Sequence, residues 1–359
     1  LPVGKWYCVP EFMRKMSKIL SCNFFEAIKG FKVTLFSQKA QIMQKAPGIF
    51  LGLVLVFWGA VNSLGAEKQD VRVRDAEKRL SAGGPKARRA ALAELVGLKG
   101  AKAVGHLLKA LGDGDSSVRG DAVRDLGGLK SGEAVVPLTT RLKSDTNSNV
   151  RGQAALALAG IGDHKAVPAL VQCFKDKNAG VKGYCIRALG LLKAKEAVGP
   201  MADLMVGANA DLKAHVINSL GKVGSPEAGE AVKTELQDLR TKKASGAHVD
   251  QPLLVEEEAI RALAETGGVD SVPLVKKGLE SPDDRIKAVS CRALLKLGDR
   301  SELPVCLGLL KHSEAGIRKE IAIALAESGD PSSTAAMQEA LRVETNPVVR
   351  RILESSLAK

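Results

Sequence analysis

VRGQAALALAGIGDHKAVPALVQCFKD, residues 150–176, holds two helices and the punctuation between them. Val150, Ala154 and Leu158 fall four apart, which gives the first helix one apolar face. Gly160 and Gly162 follow and predict its end, where a residue free to take positive φ is favoured. Val167, Leu170, Val171 and Phe174 then recur at spacings of three and four, the stripe of a second helix. Pro168 falls in the first turn of that helix, where its missing N–H costs no hydrogen bond.

The same phrase returns along the chain. It reads VRGDAVRDLG from Val118, VKGYCIRALG from Val181, LKAHVINSLG from Leu212 and IKAVSCRALL from Ile286. IRKEIAIALA from Ile317 and VRRILESSLA from Val349 close the series, with weaker copies at Ala87 (ARRAALAELV) and Val255 (VEEEAIRALA). Successive starts lie 31 or 32 residues apart, except for 43 between Leu212 and Val255. Pro137, Pro200, Pro273 and Pro304 take the place of Pro168. Neither helix of a unit can bury its stripe alone, so nine units must stack into one core. A constant period therefore replaces the two or three domains that 359 residues otherwise suggest.

The sentence VRxxAAxALGxIGDxxAVPxL resembles the HEAT repeat, in the short bacterial form first noticed in phycobiliprotein lyases. The resemblance covers residues 87–359. It implies an all-α fold, a right-handed armadillo-like solenoid of about nine two-helix repeats. Proteins of this class serve as scaffolds, as enzyme partners and, rarely, as enzymes. HEAT-repeat iron hydroxylases carry paired His-Glu motifs, which this sequence lacks; its five histidines are scattered.

Upstream of the repeats the organisation changes. Residues 48–61, GIFLGLVLVFWGAV, carry no charge and are preceded by Lys45 and followed by small residues up to Ala66. That is the form of a secretory signal over 43–66, cleaved near Ala66 or retained as a membrane anchor. Residues 1–42 show no sustained period and read as an unstructured upstream extension, while 67–86 read as a linker and first cap. Either form of the 43–66 segment places the repeats outside the cytoplasm, periplasmic or extracellular. Contact with membrane is expected only through residues 48–66, if they are kept.

Export makes the cysteines relevant. Cys173, Cys185, Cys291 and Cys306 each sit where a helix wants a small apolar residue, which is the simpler reading. Disulfides Cys173–Cys185 and Cys291–Cys306 remain open, because each pair falls on adjacent helices.

The formal charge is +13. Residues 1–66 hold eight basic and two acidic residues, so +6 lies there and +7 on the remainder. Arg119, Arg151, Lys182, Lys213, Lys287, Arg318 and Arg350 stand at the second position of their units. Two readings apply. The seven form a stripe able to track a polyanion, or they pair with acids in the preceding turns: Asp113, Asp115, Asp145, Asp176, Asp283, Asp284 and Glu314. The structural ladder is favoured, since such acids also offset orphan N–H groups at helix starts. Nucleic acid is disfavoured as a partner, because the repeats contain only Phe174 and Tyr184 to stack on a base.

The longer interval locates an insertion at about 234–252. It is expected to extend the second helix through Leu239 and then add a polar loop, TKKASGAHVDQP. Arg240, Lys242, Lys243, His248 and Asp250 are its candidates for partner contact. No GxSxG, P-loop, dinucleotide glycine pattern or zinc spacing occurs, so neither catalysis, nor a cofactor, nor a small-molecule ligand is expected. The sequence points to a non-enzymatic scaffold or assembly factor. A partner protein would dock along second-helix positions such as Thr140, Gln172, Asp203, Lys276 and Arg342. A lyase-like enzyme subunit or chaperone and a polyanion binder are the alternatives.

Overall fold

The computed structural model describes residues 69–266 and 268–358, and they form helices and turns without a strand. The expectations for 1–42 and 43–66 lie outside the described residues. The chain falls into two compact units, Leu1–Arg72 and Val73–Lys359, and the second carries every repeat.

The first helices of the nine repeats are α2 (Pro85–Lys99), α4 (Ser116–Gly128), α6 (Ser148–Ile161), α8 (Ala179–Leu191) and α10 (Ala210–Val223), then α12 (Pro252–Thr266), α14 (Asp284–Lys296), α16 (Ala315–Ser328) and α18 (Pro347–Leu357). Between them lie second helices α3 (Val104–Ala110), α5 (Val135–Ser144), α7 (Val167–Gln172) and α9 (Val198–Asp203). The later second helices are α11 (Pro226–Ala244), α13 (Val272–Lys276), α15 (Leu303–Gly308) and α17 (Thr334–Val343). Helical residues 69–82 (α1) precede them. The segment read as linker and cap is thus itself helical, and its Val73 and Ala76 are buried in one small cluster with Ala91, Leu95 and Ala103.

Side-chain oxygens start most first helices. Asp115, Asn147, Asn178, Asn209 and Asn346 each accept a hydrogen bond from a first-turn N–H of the helix they precede. This satisfies donors that the helix itself leaves orphaned. At the other end Gly162, Gly224 and Gly329 take the left-handed conformation, with φ of 83°, 68° and 60°. Lys130 and Lys193 hold the same place in their repeats, and there a residue with a Cβ carries φ of 51° and 52°.

Gly160, expected to help end its helix, lies inside α6 instead, facing the Gly127 carbonyl. Other glycines likewise serve packing. A Cβ on Gly127 would lie 2.8 Å from Ala157 Cα; on Gly190, 3.0 Å from Ser219 Cα; on Gly221, 3.0 Å from Ala262 Cα. These are equivalent places in three repeats. At these joints first helices meet backbone to backbone, and the first helices make one continuous layer. The second helices lie against that layer and meet one another more sparingly.

All four repeat cysteines are bonded in pairs, so the simple reading as small core residues gives way to the open alternative. Cys173–Cys185 spans a Cα separation of 6.3 Å and Cys291–Cys306 one of 5.5 Å. The first ties the second helix of one repeat to α8 of the next; the second ties α14 to α15.

Gly221→Val should lower stability by about 1–3 kcal/mol, because the added methyls meet Ala262. Gly183→Ala lies inside α8 with nothing within 4 Å of the new Cβ, and should raise stability by up to about 1 kcal/mol. Urea unfolding of both variants checks this; equal effects would remove the packing role assigned to Gly221. Reduction of the two disulfides, which close loops of 12 and 15 residues, should cost up to about 3 kcal/mol each. Thermal unfolding with and without reductant measures it.

Candidate protein-binding groove

The ladder residues determine which cations are free to meet a partner. Arg119 donates from Nε and Nη2 to both oxygens of Asp145, at 2.7 Å each, and from Nη1 to the Asp113 carbonyl. Arg151 does the same with Asp176, at 2.7 and 2.9 Å, and with the Asp145 carbonyl. Arg318 pairs with Glu344, at 2.7 and 2.8 Å, and with the His312 carbonyl. Arg88, not expected among the rungs, pairs with Asp113 at 2.7 and 2.6 Å. The base therefore takes its carboxylate from the turn that follows its repeat, 25 or 26 residues on, and only a carbonyl from the preceding turn. That reverses the expected direction. Asp115 and Asp283 are helix caps and not rungs. The signal was present as D-x-[DN] at Asp113–Asp115, Asp145–Asn147 and Asp176–Asn178: the first acid holds the arginine and the second residue caps.

Where the turn lacks an acid, the rung changes. Lys182 would need one at residue 207 or 208, which are Gly207 and Ala208, and it has no ion pair among the described residues. Lys213 reaches Glu235 at 2.6 Å. Lys287 pairs with Asp284 of its own helix, and His312, standing where the acid would be, bonds the same carboxylate at 3.0 Å. Arg350 belongs to the last repeat and pairs with Glu354 one turn on. In the insertion repeat the charge is inverted. Glu256 occupies the basic position, is buried, and is held by Arg240 at 2.8 Å and Lys243 at 2.7 Å.

This settles several expected contact residues. α11 runs to Ala244, five residues beyond Leu239, and its extra turn delivers Arg240 and Lys243 to Glu256. Those two are internal ties. Lys276 is likewise held, by Asp299 at 3.1 Å and Ser301 at 2.6 Å. Lys242 is exposed and bonds Asp238 one turn back. Thr140, Gln172, Asp203, His248, Asp250 and Arg342 are exposed, but they are scattered over second helices and the insertion loop.

The residues that converge lie on the opposite layer. Side chains of four successive first helices, α8, α10, α12 and α14, line a groove of about 740 Å³. It crosses the helices, from Leu191 and Lys193 at the end of α8 to Val289 and Arg292 in the middle of α14. Its floor holds Gly221, Ala262 and Ala293, the small residues of the backbone-to-backbone layer. Five cations line it, Lys193, Lys222, Arg261, Arg292 and Lys296, against two carboxylates, Glu258 and Glu265. Glu258 accepts from Asn218 at 3.1 Å and Glu265 from Lys296 at 2.5 Å. Arg261 in α12 reaches Glu320 in α16 at 2.9 Å, and Arg292 in the intervening α14 bonds the same oxygen at 3.2 Å. A side chain that bridges over one helix to the next requires the first-helix face to be concave there. Lys193 and Lys222 are exposed and have no ion pair among the described residues.

Against known proteins, the HEAT-repeat family matches residues 73–159, 104–184, 168–245 and 274–358. The chain is a HEAT-repeat protein. Its unmatched stretch, 246–273, is the insertion loop with the helix that carries Glu256 in place of a base. Among solved structures, the complex of CpcE and CpcF of phycocyanin lyase from Nostoc sp. PCC7120 is 21% identical, covers 71% of this chain and 93% of its own, and has a TM-score of 0.38. Human deoxyhypusine hydroxylase is 22% identical over 82% of this chain and 98% of its own, with a TM-score of 0.33. An engineered protein is 21% identical over 80% and 88%, with a TM-score of 0.42. No curated protein matches in sequence.

Hydrogen bonds from Arg318 hold the Glu344 carboxyl well below its usual range, at about 2. Arg88 and Arg151 likewise lower Asp113 and Asp176. At Asp145 burial pushes upward, and the bonds from Arg119 and the Asn147 N–H outweigh it. These carboxyls are depressed in the folded chain, so their contribution is complete above the ordinary carboxylate range and is lost as pH falls through it towards 2. Stability should therefore drop between about pH 4.5 and 2. Arg318→Met should cost about 3–5 kcal/mol at neutral pH, since it strands a buried carboxylate, and should flatten that acid limb. Urea midpoints at several pH values test both.

Proposed function

We propose that this HEAT-repeat protein is a non-enzymatic scaffold that holds a segment of a partner protein in the first-helix groove of α8 to α14. The observation that carries the reading is the bridge from Arg261 over α14 to Glu320, which marks the face as concave. A concave face built by four repeats lets a partner gain affinity from several modest contacts. Second-helix positions, where docking was expected, supply no comparable convergence. The polyanion alternative loses support, because Arg119, Arg151 and Arg318 of its stripe are spent on carboxylates between repeats.

The proposal includes export. Both disulfides suit an oxidising compartment, in line with the signal-like sequence at 43–66. Photo-crosslinking residues placed at Asn218 and Glu258 should capture a partner in the native cell, while one at Gln172 should not. Capture from Gln172 alone would move the site to the other layer. Alkylation mapping of unreduced protein should find the four repeat cysteines blocked; free thiols at all four would end the export reading.

A further inference from the structure

The groove's shape and charge say what its occupant is made of, given the reading of that groove as a polypeptide site. Four helices packed about 9–10 Å apart span roughly 30 Å across the groove. At about 3.3 Å per residue this accommodates about nine residues of extended chain. The floor of glycine and alanine leaves depth for a backbone with small side chains. The rim carries five cations and two carboxylates, and the carboxylates are already bonded to Asn218 and Lys296. Lys193 and Lys222, both in the groove lining, have no internal counter-ion among the described residues.

We infer that the occupant is an extended, acidic peptide segment of about nine residues, with carboxylates spaced between small or aliphatic side chains. Arg261 and Arg292 already share Glu320, and Arg292 also donates to both oxygens of Glu327, so the charge at the far end of the groove is met internally. A nucleic-acid strand fits less well. Its unbroken row of phosphates would pass Glu258 and Glu265, and the groove lining contains no aromatic ring on which a base could stack. A spaced pattern of acids can place carboxylates beside Lys193 and Lys222 and small residues opposite the two glutamates.

Lys193 offers a variant that should not harm the fold. It occupies the left-handed position that glycine fills in the repeats ending at Gly162 and Gly224. Lys193→Gly therefore relieves backbone strain while deleting a groove cation.

The test is fluorescence anisotropy of the full chain with four labelled probes of about nine units each: an alternating Glu-Ala peptide, its Lys-Ala and Ser-Ala counterparts, and oligo-dT. The Glu-Ala peptide should bind best. Its affinity should fall about tenfold in Lys193→Gly combined with Lys222→Ala, and steeply as salt rises from about 50 to about 500 mM. Equal binding of the Ser-Ala or Lys-Ala peptide, tighter binding of oligo-dT, or indifference to the double variant would each overturn the inference. Failure of the Glu-Ala peptide while cross-links still map to Asn218 and Glu258 would also overturn it, leaving the groove as a site for a partner of other chemistry. Loss of those cross-links would remove the groove reading itself.

Discussion

The closeness of neighbouring first helices governs the rest of the structure. At the same place in three repeats a helix offers Gly127, Gly190 or Gly221, and the next presents Ala157, Ser219 or Ala262 to it at a distance that leaves no room for a methyl group. Backbone contact of this kind gives dense dispersion packing for little side-chain ordering. It also removes bulk from the face of the layer, which is why the groove floor is lined by small residues. The same residues that hold the repeats together thus shape the surface available to a partner.

Between repeats a second constraint acts. Burying Arg119 against Asp145 removes both from water, a cost that pairing alone seldom recovers. Here the guanidinium also caps carbonyls of the preceding turn, and the carboxylate also accepts the N–H of Asn147. Each rung therefore fixes two turns and orients the next helix cap. The inverted rung at Glu256 keeps this logic with the signs exchanged, and it needs a longer α11 to bring Arg240 and Lys243 within reach. An insertion that reads as a surface ornament is in part the support for one joint.

Much of this was legible in the residues. Period, helix pairs and first-turn prolines follow from the spacing of apolar residues and from Pro137, Pro168, Pro200, Pro273 and Pro304. The rungs were legible as opposite charges in register, although their direction was not. Sequence order puts Asp113 far closer to Arg119 than Asp145 is, whereas the stacking geometry gives Asp113 to Arg88 and Asp145 to Arg119. Lys242, Lys243 and Arg240 drew attention as a basic cluster, but the composition of a loop carries no information on which cations are already neutralised. Concavity was not legible at all. Arg261 with Glu320, 59 residues apart, is visible as a pair only once the layer curves.

The two disulfides bear on that curvature. Cys185 lies in α8 and Cys291 in α14, the first and last helices that line the groove. Each is tied to a second helix beside it, through Cys173 or Cys306. Repeat stacks deform by small rotations spread over many joints, so each bond fixes one joint at an outer wall of the groove, while α10 and α12 are held by packing and by ion pairs such as Lys213–Glu235 and Glu256–Arg240. A site that gains affinity from several weak contacts is sensitive to such rotations, because each contact must be met in the same geometry. The groove is accordingly the part of the layer where stiffness is most useful.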